Sequence, residues 1–319
     1  MTWPAFPSIP LSAEQADHLL ARLAADRQSW CAQPGADGIC RLQSCERSAL
    51  ATKNLPFIPL KKLLFPDGDP LWQRDPAGYA VPPLPPRILL AGVALCDLQA
   101  LAWLDRAFID DDRYHARRSR LLVVGTPCRP TDECACTANG LVPGGDLFRD
   151  SERLWALSPA GEAIVGELAA GAVEVVPLPG PDAGEGLTIV SEEQFLASAG
   201  APLWNDAAAR CLACGACSAV CPTCACYEVL DRSGLDGTIT RQRQWDNCFF
   251  PGHARVAGGY DFRADRGVRL RFRFEHKRLG FGTLRGVLSC VGCGRCRRAC
   301  PVGIDLEPVA RQLAGGVPS

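Results

Sequence analysis

Two cysteine runs carry most of the chemistry this chain could do. Cys211-Leu212-Ala213-Cys214-Gly215-Ala216-Cys217-Ser218-Ala219-Val220-Cys221-Pro222 and Cys290-Val291-Gly292-Cys293-Gly294-Arg295-Cys296-Arg297-Arg298-Ala299-Cys300-Pro301 share the pattern C-x2-C-x2-C-x3-C-P. Three thiolates at this spacing wrap one face of a four-iron, four-sulfur cubane, and the fourth cysteine of such a run ligates the other cluster. The spacing therefore predicts one [4Fe-4S] cluster, A, on Cys211, Cys214, Cys217 and Cys300. A second, B, falls to Cys290, Cys293, Cys296 and Cys221. The small residues Ala213, Gly215, Gly292 and Gly294 let the backbone approach the inorganic sulfur. Crossed ligands tie distant segments together and couple metal binding to folding. Structural zinc uses paired C-x2-C elements, not four cysteines in one run before a proline.

Ten further cysteines lie outside these runs, for eighteen in 319 residues. Cys96, Cys128, Cys134 and Cys136 form a possible third [4Fe-4S] set, because they follow two apolar segments, 88–93 and 121–125. Those segments read as buried parallel strands joined by a helix over 98–108, and α/β sheets place their sites at the carboxyl edge of such strands. Ordinary buried thiols are the competing reading. Cys224, Cys226 and Cys248 read as packing thiols near cluster A, with an extra metal or redox site as the alternative. Cys31, Cys40 and Cys45 read as structural, and no catalytic residue or nucleophile–base pair stands out.

The elements that must position these thiols are partly legible. Ser12 reads as the N-cap of a helix carrying Leu19, Leu20 and Leu23. Residues 54–86 are rich in proline and read as turns and extended loop. A short strand is expected at 172–176 and a helix at 191–199. Between Cys221 and Cys290 lies an insertion with ten Arg or Lys against four Asp or Glu over 241–278. A basic wrap compensates the negative charge of thiolate-bound clusters, and a partner-docking face is the alternative. His276 in this segment reads as structural.

The formal net charge of −1 argues against a general nucleic-acid binder. No apolar run is long enough for a membrane span, and no secretory leader is visible, so a reducing, cytoplasmic setting is expected. There cysteines serve as metal ligands sooner than as disulfides. No G-x-G-x-x-G after a strand and no phosphate-binding loop is present, so a flavin or nicotinamide group would sit on a partner.

The run 211–231, with Trp245-Asp246-Asn247-Cys248-Phe249, Val256-Ala257-Gly258-Gly259, His276-Lys277 and 290–305, resembles the beta subunit of sulfhydrogenases and the A subunit of anaerobic sulfite reductase. The resemblance is weaker at Leu63-Leu64-Phe65-Pro66, Cys96-Asp97, 111–118 and 128–136. It implies a dicluster ferredoxin-like domain sitting between a flavin/NAD(P)-binding subunit and a catalytic metalloenzyme subunit. It also implies that Cys96, Cys128, Cys134 and Cys136 are cluster ligands.

The expected fold is α+β. An N-terminal α/β domain, 1–200, precedes a bacterial two-[4Fe-4S] ferredoxin-like domain, 201–319, with an insertion at 227–285. The expected function is non-catalytic electron transfer in a heteromeric, hydrogenase-like or sulfite-reductase-like oxidoreductase complex. The alternatives are a subunit of a formate or aldehyde oxidoreductase, or a stand-alone iron–sulfur enzyme with its site at the N-terminal cysteines.

Overall fold

Ser12 caps the helix Ala13–Leu23 through a reciprocal pair of hydrogen bonds with Gln15, so two orphan N–H groups are satisfied at once. The helix buries Ala16, Leu19, Leu20 and Leu23 at helical spacing against a sheet. The computed structural model describes residues 3–46, 55–128, 130–136, 141–169, 171–180 and 186–316. Helices and strands are mixed, as an α+β chain requires.

The sheet has eight strands among the described residues. In chain order they are β1 (Ala5–Pro10), β2 (Gln28–Pro34) and β3 (Cys40–Ser44), then, beyond two strands described below, β6 (Ile88–Val93), β7 (Leu121–Gly125), β8 (Leu147–Arg149), β9 (Arg153–Ala156) and β10 (Glu174–Pro177). Their spatial order is β10-β1-β9-β8-β7-β6-β2-β3. The centre, β8-β7-β6-β2, is parallel, and both flanks are antiparallel. The two apolar segments are the neighbours β6 and β7, as expected, and the helix Leu95–Ala107 joins them. Its start lies three residues before the expected 98. Asp146 stitches the central strands from within: it accepts a hydrogen bond from the Val123 N–H at 2.8 Å and another from Ser158 Oγ at 2.9 Å.

A second sheet has the order β11-β12-β4-β5, formed by β4 (Asp69–Asp75), β5 (Gly78–Ala80), β11 (Tyr227–Ser233) and β12 (Ile239–Trp245). Here the loop expected over 54–86 is corrected. Residues 69–75 and 78–80 are strands, because β12 offers β4 an antiparallel edge in which Thr240 faces Gln73 and Arg243 faces Asp69. That edge lies in the insertion, beyond the reach of any local pattern.

The chain divides into two compact units interleaved in sequence. One comprises 1–65, 82–131 and 141–183 and holds the eight-stranded sheet. The other comprises 66–81, 132–140 and 184–319 and holds the second sheet and both cysteine runs. No helix among the described residues is long and apolar enough to cross a membrane.

Candidate metal centres

Each cysteine run folds as a loop that enters a short helix, and the same two backbone positions are left-handed in both. Ala213 (φ 52°) and Gly215 (φ 75°) precede the helix Ala216–Ala219; Gly292 (φ 64°) and Gly294 (φ 68°) precede Arg295–Ala299. These conformations turn successive backbone groups toward the thiols. The Ala213 N–H points at Cys211 Sγ at 3.4 Å, and the Ile304 N–H at Cys300 Sγ at 3.2 Å. The two short helices pack on one another, which brings the runs together.

One cavity is lined by Cys211, Cys214, Cys217 and Cys300, with Cys296 beside them. Its remaining wall is backbone, apolar side chains such as Phe249, Leu270 and Ile304, and Arg273. Cys300, from the second run, lines the same cavity as Cys211, Cys214 and Cys217 of the first. The donor set and the closely approaching loops fit a cubane. Among the described residues, no three His, Cys, Asp or Glu side chains close around one point as a single ion needs. A cubane takes each thiolate on a different iron, so its ligand thiols stand apart around the cluster rather than converging on one point.

Cys221 is held beside the second run by its neighbour Thr223. Thr223 Oγ1 donates to the Ser289 carbonyl at 2.7 Å and lies 3.5 Å from Cys221 Sγ. Lys277 donates to the Thr223 carbonyl at 2.9 Å, and its own carbonyl accepts from the Cys290 N–H at 2.9 Å. One lysine therefore bridges the segments carrying Cys221 and Cys290.

The insertion wraps the runs with its charges turned inward. Asn247 Nδ2 donates to the Gly215 carbonyl at 2.9 Å, and a Cβ on Gly215 would lie 2.4 Å from that nitrogen. The helix Arg266–Arg278 buries Arg269, Arg273, Lys277 and Arg278. Arg266 donates to the Cys211 carbonyl at 2.8 Å, and Arg273 to the Cys217 carbonyl at 3.0 Å and Ser218 Oγ at 2.8 Å. Burial raises the pKa of Cys217, while the Arg273 guanidinium pulls it back. Burial works against the charged form of Lys277, yet Cys221 and Cys224 raise its pKa overall. The coupling runs both ways: the cations favour the thiolates that metal ligation needs. Arg273 and Lys277 single themselves out from the basic segment by their contacts with the cysteine-run segments. Their spacing of four along one helix face was the available signal.

The N-terminal cysteines divide between the two units. Cys96 is buried in the first turn of the helix after β6, and Cys128 follows β7, both in the first unit. Cys134 and Cys136 belong to the second unit, against the second run: their sulfurs lie 3.9 Å from the Cys293 carbonyl and 3.8 Å from the Gly292 carbonyl. Cys31 lies on β2 and Cys45 directly follows β3, and burial followed by contact with Cys31 pushes Cys45 up to about 12. The raised Cys45 thiol, in contact with Cys31, suits a structural role. Among the described residues, no cysteine is in a disulfide.

Comparison with known proteins agrees with this geometry. Residues 210–304 match the 4Fe-4S dicluster domain family. The chain is 30% identical over 257 residues to the sulfhydrogenase 2 subunit beta of Pyrococcus furiosus, covering 72% of this chain and 75% of that protein. No solved structure matches. A dicluster domain whose cysteine runs share their walls, joined to sequence identity over most of both chains, places this protein in the family of sulfhydrogenase beta subunits.

Proposed function

We propose that this chain is the iron–sulfur electron-transfer subunit of a cytoplasmic hydrogenase-type complex. It relays single electrons between a subunit that handles flavin and NAD(P) and a catalytic metal-bearing subunit. The observation that carries this reading is the shared cavity of Cys211, Cys214, Cys217 and Cys300 in a member of the sulfhydrogenase beta family. Cluster A takes those four thiols, and cluster B takes Cys290, Cys293, Cys296 and Cys221. The clusters supply one-electron chemistry, and the protein supplies ligands, burial and buried cations that tune them.

The N-terminal set of Cys96, Cys128, Cys134 and Cys136 is proposed as a further centre. Its support is in the sequence, where Cys96 and Cys128 each follow an apolar strand segment and Cys134 and Cys136 stand close after Cys128.

The test of the crossed ligation is Cys300→Ser in anaerobically purified protein. It should lower iron and acid-labile sulfide by about four each, the content of one cluster, and remove the electron paramagnetic resonance signal of the cluster that Cys211→Ser also removes. Loss of the signal shared instead with Cys290→Ser overturns the assignment. For the complex, tagged chain drawn from its native host should co-purify with a flavoprotein and a metal-bearing subunit. Recovery of a lone monomer overturns the relay.

A further inference from the structure

Cys224, Cys226 and Cys248 belong to none of the three ligand sets above, yet all three line one cavity of about 250 Å³ together with His276. They arrive from separate segments. Cys224 and Cys226 follow Cys221 directly, Cys248 follows β12, and His276 projects from the helix Arg266–Arg278. An open cleft walled by three thiols and an imidazole is a soft donor set within reach of solvent.

The charges around it match. Arg273 and Lys277 are 3% and 5% exposed, and both line this cavity. Arg273 Nη1 donates to Cys224 Sγ at 3.4 Å. Such buried cations would offset a thiolate-bound cluster. Arg273 also lines the cavity of Cys211, Cys214, Cys217 and Cys300, so one guanidinium separates the two thiol-lined spaces. The His276 ring is clamped between Phe272, centroids 4.0 Å apart, and Phe281, at 4.4 Å, which fixes its plane at the cavity wall. The three thiols and the imidazole line one cavity wall from three separate segments.

We propose that Cys224, Cys226, Cys248 and His276 hold an additional [4Fe-4S] cluster, beyond the dicluster pair and separate from the N-terminal set. The proposal rests on the reading of this chain as a cluster carrier only for the type of cofactor. Imidazole is a competent iron ligand.

The test uses the full chain, purified anaerobically, with iron, zinc and acid-labile sulfide counted per chain. In Cys134→Ser/Cys136→Ser protein, which removes the N-terminal set, about twelve irons remain if the pocket is filled and about eight if it is not. Eight overturns the proposal, and so does one zinc in place of four irons. Adding Cys224→Ser and Cys248→Ser should then lower the count from about twelve to about eight, with the signals of clusters A and B unchanged. A count that stays at twelve overturns it.

His276→Cys keeps the thiols in place and guards against a pocket variant that fails to fold. It should retain iron and shift the magnetic resonance signal of one centre alone; an unchanged spectrum overturns the ligand assignment. The dicluster reading fails separately, in the Cys300→Ser count.

Discussion

Gly292 and Ala135 touch backbone to backbone. The Ala135 N–H donates to the Gly292 carbonyl at 2.8 Å, and a Cβ on Gly292 would lie 2.0 Å from the Ala135 carbonyl oxygen. This contact seats the Cys134–Cys136 segment on the loop of the second cysteine run, 157 residues away in sequence.

Gly292→Ala should therefore break more than one thing. The residue stands at φ 64°, where a Cβ is strained, and the added methyl has rigid backbone in its way. The expected loss is about 1–3 kcal/mol, with poorer retention of iron. Urea unfolding of the anaerobic protein measures the first and iron counting the second. Wild-type values in both would show that the segment does not dock on this loop.

Arg273 should set a reduction potential. It is buried, donates to Cys217, Ser218 and Cys224, and brings a positive charge to the walls of two thiol-lined cavities. Positive charge favours the reduced, more negative cluster. Arg273→Met should lower the midpoint potential of cluster A, and Arg273→Lys should recover part of the shift while losing the planar donor geometry. A spectroscopic redox titration reads the effect; an upward or absent shift in Arg273→Met would contradict it.

Asp146 should matter to the first unit alone. It is buried, and both its oxygens accept hydrogen bonds, from the Val123 N–H and from Ser158, which caps the helix Pro159–Leu168. Asp146→Ala leaves those donors without their acceptor, at a cost of about 2–3 kcal/mol. Denaturant unfolding followed by hydrogen exchange should locate the loss in β7 and β8, with the cluster signals intact.

Removing the iron should unfold the cysteine loops selectively. Ligand thiolates are brought together by the metal they hold, so binding and folding are linked. Chelation of the reduced protein should raise hydrogen exchange across 211–221 and 290–300, while β6 and β7, whose core residues are almost wholly buried, stay protected. Equal protection before and after chelation would break this link.

Much of the chemistry was legible because it is local. The two C-x2-C-x2-C-x3-C-P runs state their own ligand spacing, and Ser12 with Gln15 states a capping box within four residues. Ser191 and Gln194 do the same for the helix Glu192–Ala197, inside the range expected for it. β6 and β7 were legible as apolar segments, since parallel strands are buried on both faces. The strand β4 was not. Asp69–Asp75 carries Pro70 and three charged residues, and it becomes a strand only because β12 pairs with it across about 170 residues.

The direction in which the basic insertion faces was equally hidden. Ten cations in thirty-eight residues look alike in one dimension; packing turns Arg269, Arg273, Lys277 and Arg278 into the interior and leaves others at the surface. The sequence by itself determined which atoms can bind iron and how far apart they stand along the chain. Tertiary structure decided which of those thiols share a wall, which cations neutralise them, and that Cys224, Cys226, Cys248 and His276 meet at all. The physical reason is that ligand spacing is a property of one loop, whereas a cavity is made by segments that find each other only when the chain folds.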